Sequence, residues 1–416
     1  PWDKSRADAA KKTVGEGSFA VRLGDFAADW EAELSLVVLS PGVPTDLPFV
    51  TALAAHLPIW GEVELAYRFA RGRIAAITGT NGKTTTTALT GEIMKDYYES
   101  VFVVGNIGIP YTSTAALTRP DSVTVAEISS FQLETIDTFH PQVSAILNIT
   151  PDHLNRHHTM ENYIKAKEDI TKNQGTADAC VLNYEDEVLR AFGQTLKTKV
   201  IWFSGVQPLE EGLWFDGKSI FIRRDGQTEK VCDISELNLL GRHNYENVMA
   251  AVAISLELGV PMDSIRGTLR RFTAVEHRIE FVAEKNGVAY YNDSKGTNPD
   301  AAIQAIRAMK WPTVLIGGGY DKQNTYDEWI EAFDGKVKLL VLIGQTREKI
   351  AECAKKHGME NIVLADSFEE AMDTCVKAAC PGDAVLLSPA CASWGMFPNY
   401  EVRGKMFKEY VNSLKG

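Results

Sequence analysis

The stretch Arg73–Met94, RIAAITGTNGKTTTTALTGEIM, constrains this chain more than any other. An apolar run ends in two glycines, a lysine and four threonines, and a helix-forming segment follows. Gly79 and Gly82 let the backbone curl, so that the N–H groups of that turn, Thr80 and Asn81 included, point at phosphate oxygens. Lys83 can reach the outer phosphates of a nucleotide, and Thr84, followed by Thr85, offers a hydroxyl to Mg²⁺. The strict phosphate-loop pattern wants glycine at position 77, which is Ile77. A tight turn with an exposed lysine would need neither the strand before it nor the helix after it. The context therefore predicts nucleotide binding.

A strand feeding such a loop belongs in a parallel sheet with helices on both faces, which makes the fold class α/β. RIAAIT, VFVVG, SVTVAEIS and VSAILNI read as buried strands because they are apolar without alternation. GLWFDGKSIFIRR reads as a hairpin turning at Asp216–Gly217, and HNYENVMAAVAISLELG as a helix closed by Gly259 and Pro261. A second series opens with a hairpin, IEFVAEKNGVAYYND, turning at Asn286–Gly287. It continues through TVLIGGG, KLLVLIGQ, NIVLAD and DAVLLSPA, each followed by a helical segment. A chain of 416 residues exceeds what one core supports. Three α/β units are expected, divided near residues 68 and 275.

Lys and Arg number 43 against 55 Asp and Glu, so the formal charge of −12 argues against a general affinity for nucleic acid or an anionic membrane. No apolar run is long enough to span a bilayer, and the start is polar rather than a signal peptide. The six cysteines read as reduced, buried thiols; Cys375 and Cys380 form a C-x4-C pair, but no second pair or nearby His completes a zinc pattern.

In open α/β sheets ligands gather at the carboxyl ends of strands. Here those ends are rich in Gly, Ser, Thr, Asn and charge. Glu127 ends an apolar strand, where a carboxylate is costly without a cation or metal. His153 beside Asp152 is either a surface residue or a metal ligand. MENYIKAKEDITKN reads as a helix whose Lys165, Lys167 and Lys172 lie on a solvated face; spacing does not single out Lys167. Asn244 and Asn247 open a helix and could cap it or reach a nucleobase. Arg278, Asp293, Lys295 and Thr297 gather at a strand end as a clamp for phosphate, ribose or carboxylate, or as surface ion pairs. Lys322 and Ser393 end further strands as donors to an anion.

Taken in order, GTNGKT, GNIG, EISSFQLE, NITPDHLNRH, GRHNYENVMAA, EHRIE, NDSKGTNPDA and LLSPACASWGMF resemble the Mur ligases from about residue 36 to the end. GTNGKT and HRIE recur across the wider family, folylpolyglutamate synthase included; SSFQLE and SPACASW point to its D-glutamate-adding branch. The resemblance implies three domains: residues 1–68 a Rossmann-like UDP-sugar-binding domain, 69–274 a central P-loop ATPase, and 275–416 a Rossmann-like domain for the amino acid. It implies an ATP-dependent, ADP-forming ligase of peptidoglycan precursor synthesis that joins D-glutamate to UDP-N-acetylmuramoyl-L-alanine through an acyl phosphate. Lys83 and Thr84 would hold ATP phosphates and Mg²⁺. Glu127 would ligate one metal; His153 and a carbamylated Lys167 would serve a second.

By the same resemblance, Asn106 and Ser129 would touch the muramoyl substrate. Asn244, Arg278, Asp293 and Lys295 would contact ATP, and Thr297, Lys322, Ser393 and Tyr400 would hold the D-glutamate carboxylates. A cytoplasmic monomer, with no nucleic acid or membrane partner, is expected. The family's first strand and glycine-rich turn have no counterpart before Pro1. Asp3 and Lys4 would then end the second strand, leaving the uridine pocket incomplete. A sister Mur ligase, a folylpolyglutamate synthase-like enzyme and a non-catalytic nucleotide-binding protein stand as alternatives.

Overall fold

The computed structural model describes residues 34–415 apart from positions 107 and 274, with nothing said of the side chain at 155. The expectation for Asp3, Lys4 and the uridine turn lies outside those residues. Three sheets organise the chain. Strands β1 (Val37–Leu39) and β2 (Ile59–Gly61) form a short parallel pair. A nine-stranded sheet follows, built from β3 (Arg73–Thr78), β4 (Val101–Gly105), β5 (Val123–Glu127), β6 (Val143–Ile146), β7 (Ala179–Asn183), β8 (Lys199–Ser204), β9 (Gly212–Phe215), β10 (Ser219–Arg224) and β11 (Gln227–Asp233). Its order is β11-β10-β9-β8-β7-β6-β3-β5-β4. All pairings from β4 to β9 are parallel, and the last two are antiparallel hairpins.

The last sheet holds β12 (Glu280–Lys285), β13 (Val288–Asn292), β14 (Thr313–Gly318), β15 (Val337–Ile343), β16 (Ile362–Leu364) and β17 (Ala384–Leu387), in the order β12-β13-β17-β14-β15-β16. Only β12 runs antiparallel. Its hairpin turns at Asn286 and Gly287, whose φ angles of 51° and 74° match the left-handed pair that a two-residue turn requires.

The strand β3 explains why its sequence is apolar without alternation. Ala75 and Ile77 enter one core with Leu89, Ile93 and Val248, while Ile74 and Ala76 enter the opposite core with Val63, Tyr111 and Phe139. Successive side chains of a strand point to opposite faces, and here both faces are covered. In β17, Ala384 and Leu386 likewise serve one core while Val385 and Leu387 serve the other. The helix Arg242–Glu257 is buried nearly all round from Val248 to Ser255, because it fills the space between the sheet and helix Lys83–Lys95. Strands β7, β8 and β11 were not recognised in the sequence; the exposed run Gln227–Lys230 of β11 lacks an apolar pattern. Among the described residues no helix is long and apolar enough to cross a membrane.

Candidate active site

Strand β3 delivers the chain into the phosphate loop at the carboxyl edge of the nine-stranded sheet. Gly79 (φ 147°) and Gly82 (φ 87°) both adopt backbone that favours glycine. A Cβ at Gly82 would also stand 2.3 Å from Asn247 Oδ1. Helix Arg242–Glu257 therefore comes close enough to dictate glycine at that position. Neither Asn244 nor Asn247 caps its helix: Gly241 is the N-cap and has no side-chain cap bond. Instead the Asn244 amide donates to Leu240 O at 2.7 Å and Asn247 donates to Asn244 at 3.2 Å.

The Lys83 ammonium donates back into the loop, to the carbonyls of Gly79 and Thr80, each at 2.8 Å. Lys167 donates to the same Gly79 carbonyl at 2.9 Å, with its Nζ 4.6 Å from the Tyr163 ring centre. Tyr163 in turn shares a 3.0 Å hydrogen bond with Thr80 Oγ1. The solvated-face reading of Lys167 is thus overturned: the residue is 2 % exposed. It points inward because Tyr163 and Ala166, on the same turns of helix Met160–Glu168, pack inward with it. Burial, and then the charge of Lys83, holds the Lys167 amine well below its ordinary pKa. Burial also lowers Lys83, partly offset by Glu127.

Glu127 ends β5 and is buried. One carboxylate oxygen accepts from Asn106 Nδ2 at 2.9 Å, and the other has no hydrogen-bond partner. A buried carboxylate oxygen left without a donor is costly, and a cation is the usual remedy. The Thr85 hydroxyl is also buried and without a partner. His153 is half-exposed in left-handed backbone (φ 53°), its ring edge-on to Phe131 at 4.9 Å. Burial lowers its pKa, against the pull of Asp152. Ser129 is the N-cap of helix Ser130–Leu133, in a reciprocal capping box with Gln132.

Two residues that sequence reasoning passed over brace this region. His157 is buried between Ser130 Oγ (2.9 Å) and Glu134 Oε1 (3.3 Å), and Arg156 pairs with Glu134 at 2.6 Å. The doubled His in NITPDHLNRHH was the available signal.

The last sheet brings its own polar residues to the same cleft. Lys295 Nζ donates to Thr84 Oγ1 at 2.6 Å, across 211 residues of chain. Its pKa falls to about 8, through burial first and Arg278 second. Arg278 and Asp293 line a cavity of about 160 Å³ with Gly82, His243, Asn247 and Asp300. The Arg278 Nε is buried and unpartnered, as a site for an anion would leave it. Asp293 is no surface ion pair: it is buried, accepts from Ile279 N (3.2 Å) and Ser388 Oγ (2.7 Å), and burial pushes its pKa up to about 7. The Tyr400 ring lies 5.4 Å from Lys295 Nζ. Thr297 is half-buried, and its N–H closes a turn to the Lys295 carbonyl at 2.8 Å. Ser393 is buried, whereas Lys322 is exposed with its ammonium 5.5 Å from the Trp394 ring.

A phosphate loop with one unpartnered carboxylate oxygen and one unpartnered guanidinium nitrogen beside it defines a nucleotide-dependent enzyme cleft between two α/β units. Residues 77–255 match the Mur ligase middle domain, and residues 277–391 match the Mur ligase, glutamate ligase domain. The chain belongs to the Mur ligase family. It is 61% identical over 412 residues to the UDP-N-acetylmuramoylalanine–D-glutamate ligase of Lachnoclostridium phytofermentans, covering 99% of this chain and 91% of that one. The ligase of the same name from Lachnospira eligens is 55% identical over 413 residues, covering 99% and 92%. Among solved structures, the UDP-N-acetylmuramate-alanine ligase MurC of Thermotoga maritima superposes with a TM-score of 0.65 at 21% identity, covering 92% of this chain and 86% of that one. The MurF ligase of Thermotoga maritima in complex with ADP gives 0.62 at 18%, covering 92% and 96%. At that distance the likeness speaks for the fold alone.

The cysteine expectation needs correcting in part. Cys180, Cys232, Cys375 and Cys391 are buried free thiols, but Cys380 is exposed and Cys353 half-buried. Each sits on or beside a surface helix of the last unit, where a small apolar residue need not be covered.

Proposed function

We propose that this chain joins D-glutamate to UDP-N-acetylmuramoyl-L-alanine with cleavage of ATP to ADP and phosphate. The observation that carries the reading is the cleft, where Lys295 of the last unit touches Thr84 of the phosphate loop. An ATP site on one unit and an amino-acid site on the other meet there. The choice of D-glutamate rests on the relatives that carry that activity in their names. The three sheets support a division into residues 1–68 for the UDP-sugar, 69–274 for ATP and 275–416 for the amino acid.

The chemistry follows from what each residue can do. A carboxylate is a poor acyl donor, so the muramoyl-alanine carboxylate first attacks the γ-phosphate. Lys83, at the head of the phosphate loop, offsets charge on the transferring group, a matter of positioning and electrostatics. Arg278 and Lys295 supply further positive charge from the opposite wall, and Asn106 and Ser129 orient the muramoyl substrate. The D-glutamate amine then attacks the acyl phosphate, its carboxylates held by Thr297, Lys322, Ser393 and Tyr400. Asn244 and Asp293 shape the nucleotide pocket. Closing the last unit over the loop excludes water that would hydrolyse the acyl phosphate.

The residues present also fit Mg²⁺. The orphaned oxygen of Glu127 and the Thr84 hydroxyl, which already accepts an ammonium, are hard donors suited to that cation. His153 and Lys167 would serve a second ion. A metal there would neutralise developing charge on the phosphates. Lys167 suits carbamylation, because only a neutral amine adds CO₂ and burial without a carboxylate partner favours the neutral form. The enzyme works in the cytoplasm as a monomer.

The test is phosphate release from ATP with UDP-N-acetylmuramoyl-L-alanine and, in turn, D-glutamate, L-glutamate, L-lysine or meso-diaminopimelate. Release that needs D-glutamate is the expected result. Release with another amino acid would move the chain to a sister ligase, and none with any of them would make it a non-catalytic nucleotide-binding protein.

A further inference from the structure

Away from that cleft, two helices of the last unit lie against each other. Helix Asp327–Glu331 carries Asp327 and Glu331 four residues apart, hence on one face. Helix Arg347–Lys356 and its C-cap carry Cys353 and His357, also four apart. The absence of a His near the C-x4-C pair hid this second arrangement, whose partners sit in a different helix.

The side chains converge. His357 Nε2 is 3.0 Å from Asp327 Oδ1, and Nδ1 is 3.7 Å from Glu331 Oε1. The ligand atoms of Asp327, Cys353 and His357 all lie within 4.8 Å of one another. We propose that Asp327, Cys353 and His357 bind a divalent transition metal of the zinc type, with Glu331 orienting the imidazole through its other nitrogen.

Three physical points support this. One sulfur, one imidazole nitrogen and one carboxylate oxygen form a borderline-soft set that suits Zn²⁺ and not Mg²⁺. Around a tetrahedral ion with bonds of about 2.0–2.3 Å, neighbouring donors lie roughly 3.5 Å apart, and an exposed Asp327 can close that gap by rotation. Glu331 takes the place of the carboxylate that commonly backs a metal-bound histidine. Asp327 is the common partner, taking the His357 imidazole and the Cys353 thiol alike, so all three side chains already meet at one point. When the ion binds, the Cys353 thiol proton leaves to solvent, and the cation neutralises the thiolate and Asp327 together. The fourth position falls to water. Because helix Asp327–Glu331 follows directly on the loop bearing Lys322, the ion would pin that loop at its base.

The test is a cobalt titration of the full chain, stripped of metal and held in excess Mg²⁺ so that oxygen-rich sites are filled. We expect a thiolate-to-cobalt charge-transfer band that saturates at one ion per chain and is displaced by Zn²⁺. Cys353→Ser should abolish the band, Asp327→Asn should weaken cobalt binding about tenfold or more, and Cys380→Ser should leave both unchanged. Either a folded wild-type chain without the band, or a band that survives Cys353→Ser, overturns the proposal.

Discussion

Asp300, in the first turn of helix Pro299–Ala308, accepts a hydrogen bond from Asn81 of the phosphate loop at 2.6 Å. The same carboxylate oxygen takes the Thr150 hydroxyl at 2.9 Å. One side chain of the last unit thus grips both the loop and the strand end beside it, and with the Lys295–Thr84 contact it ties the two units together. Hydrogen bonds to a charged group are worth about 1.5–3 kcal/mol each. For Asp300→Ala we expect a larger radius of gyration by small-angle scattering without ligand. kcat/KM for ATP should fall about tenfold, a loss of about 1.4 kcal/mol in transition-state binding. If both stay at wild-type values, the contact does not hold the units.

Lys167 is buried with no carboxylate in reach of its amine among its hydrogen-bond partners. Removing the carbamate proposed for this side chain should cost about a hundredfold or more in kcat, the scale on which electrostatic stabilisers act. Lys167→Ala is therefore expected to be nearly inactive, and to regain activity with added formate or acetate. Rescue by small carboxylates separates a carbamate from a merely structural lysine; activity equal to wild type without them would dismiss the role.

Gly82 meets two constraints at once, a φ of 87° and the nearness of Asn247 Oδ1. Left-handed backbone costs a residue with a Cβ about 1–2 kcal/mol, and the contact adds to it. Gly82→Ala should lower the melting temperature and abolish binding of a fluorescent ATP analogue. Adding Asn247→Ala should recover part of the stability and none of the binding geometry. Full recovery of binding in the double variant would mean that backbone conformation does not matter there.

Asp293 gives a pH dependence whose sign can be worked out. Its pKa is pushed up to about 7 by burial, above the ordinary 3.8. The folded state therefore holds a proton that the unfolded state has lost, and this contribution to stability declines as pH rises from about 4 to about 7. Asp293→Asn keeps an acceptor for Ile279 N and reverses the second bond, its amide donating to Ser388 Oγ. The drop in unfolding free energy between pH 5 and 8, followed by urea denaturation, should be about 3 kcal/mol smaller in the variant. Parallel wild-type and variant curves would place the titrating group elsewhere.

Much of the fold was legible because parallel strands covered on both faces must be apolar throughout, as in β3, and because Asn286–Gly287 leaves few turn types open. The strands β7 and β8 carry similar signals between helices and could have been read; the polar edge strand β11 could not, since it is defined by its neighbour β10. In the cleft, Lys83 and Thr84 stood out because a phosphate loop is contiguous in sequence. Lys167 did not, because what distinguishes it from Lys165 and Lys172 is burial against the carbonyl of Gly79, which lies 88 residues away in the chain.

The sequence by itself determined the α/β class, the phosphate loop and the strand ends where polar residues collect, because these depend on short-range periodicity and backbone freedom. Tertiary structure alone decided which lysine is buried, that Asp300 reaches Asn81, and that Asp327 meets Cys353 and His357. Those relationships join residues tens to hundreds of positions apart. Only the packing of sheets and helices brings such side chains within hydrogen-bonding or ligand distance.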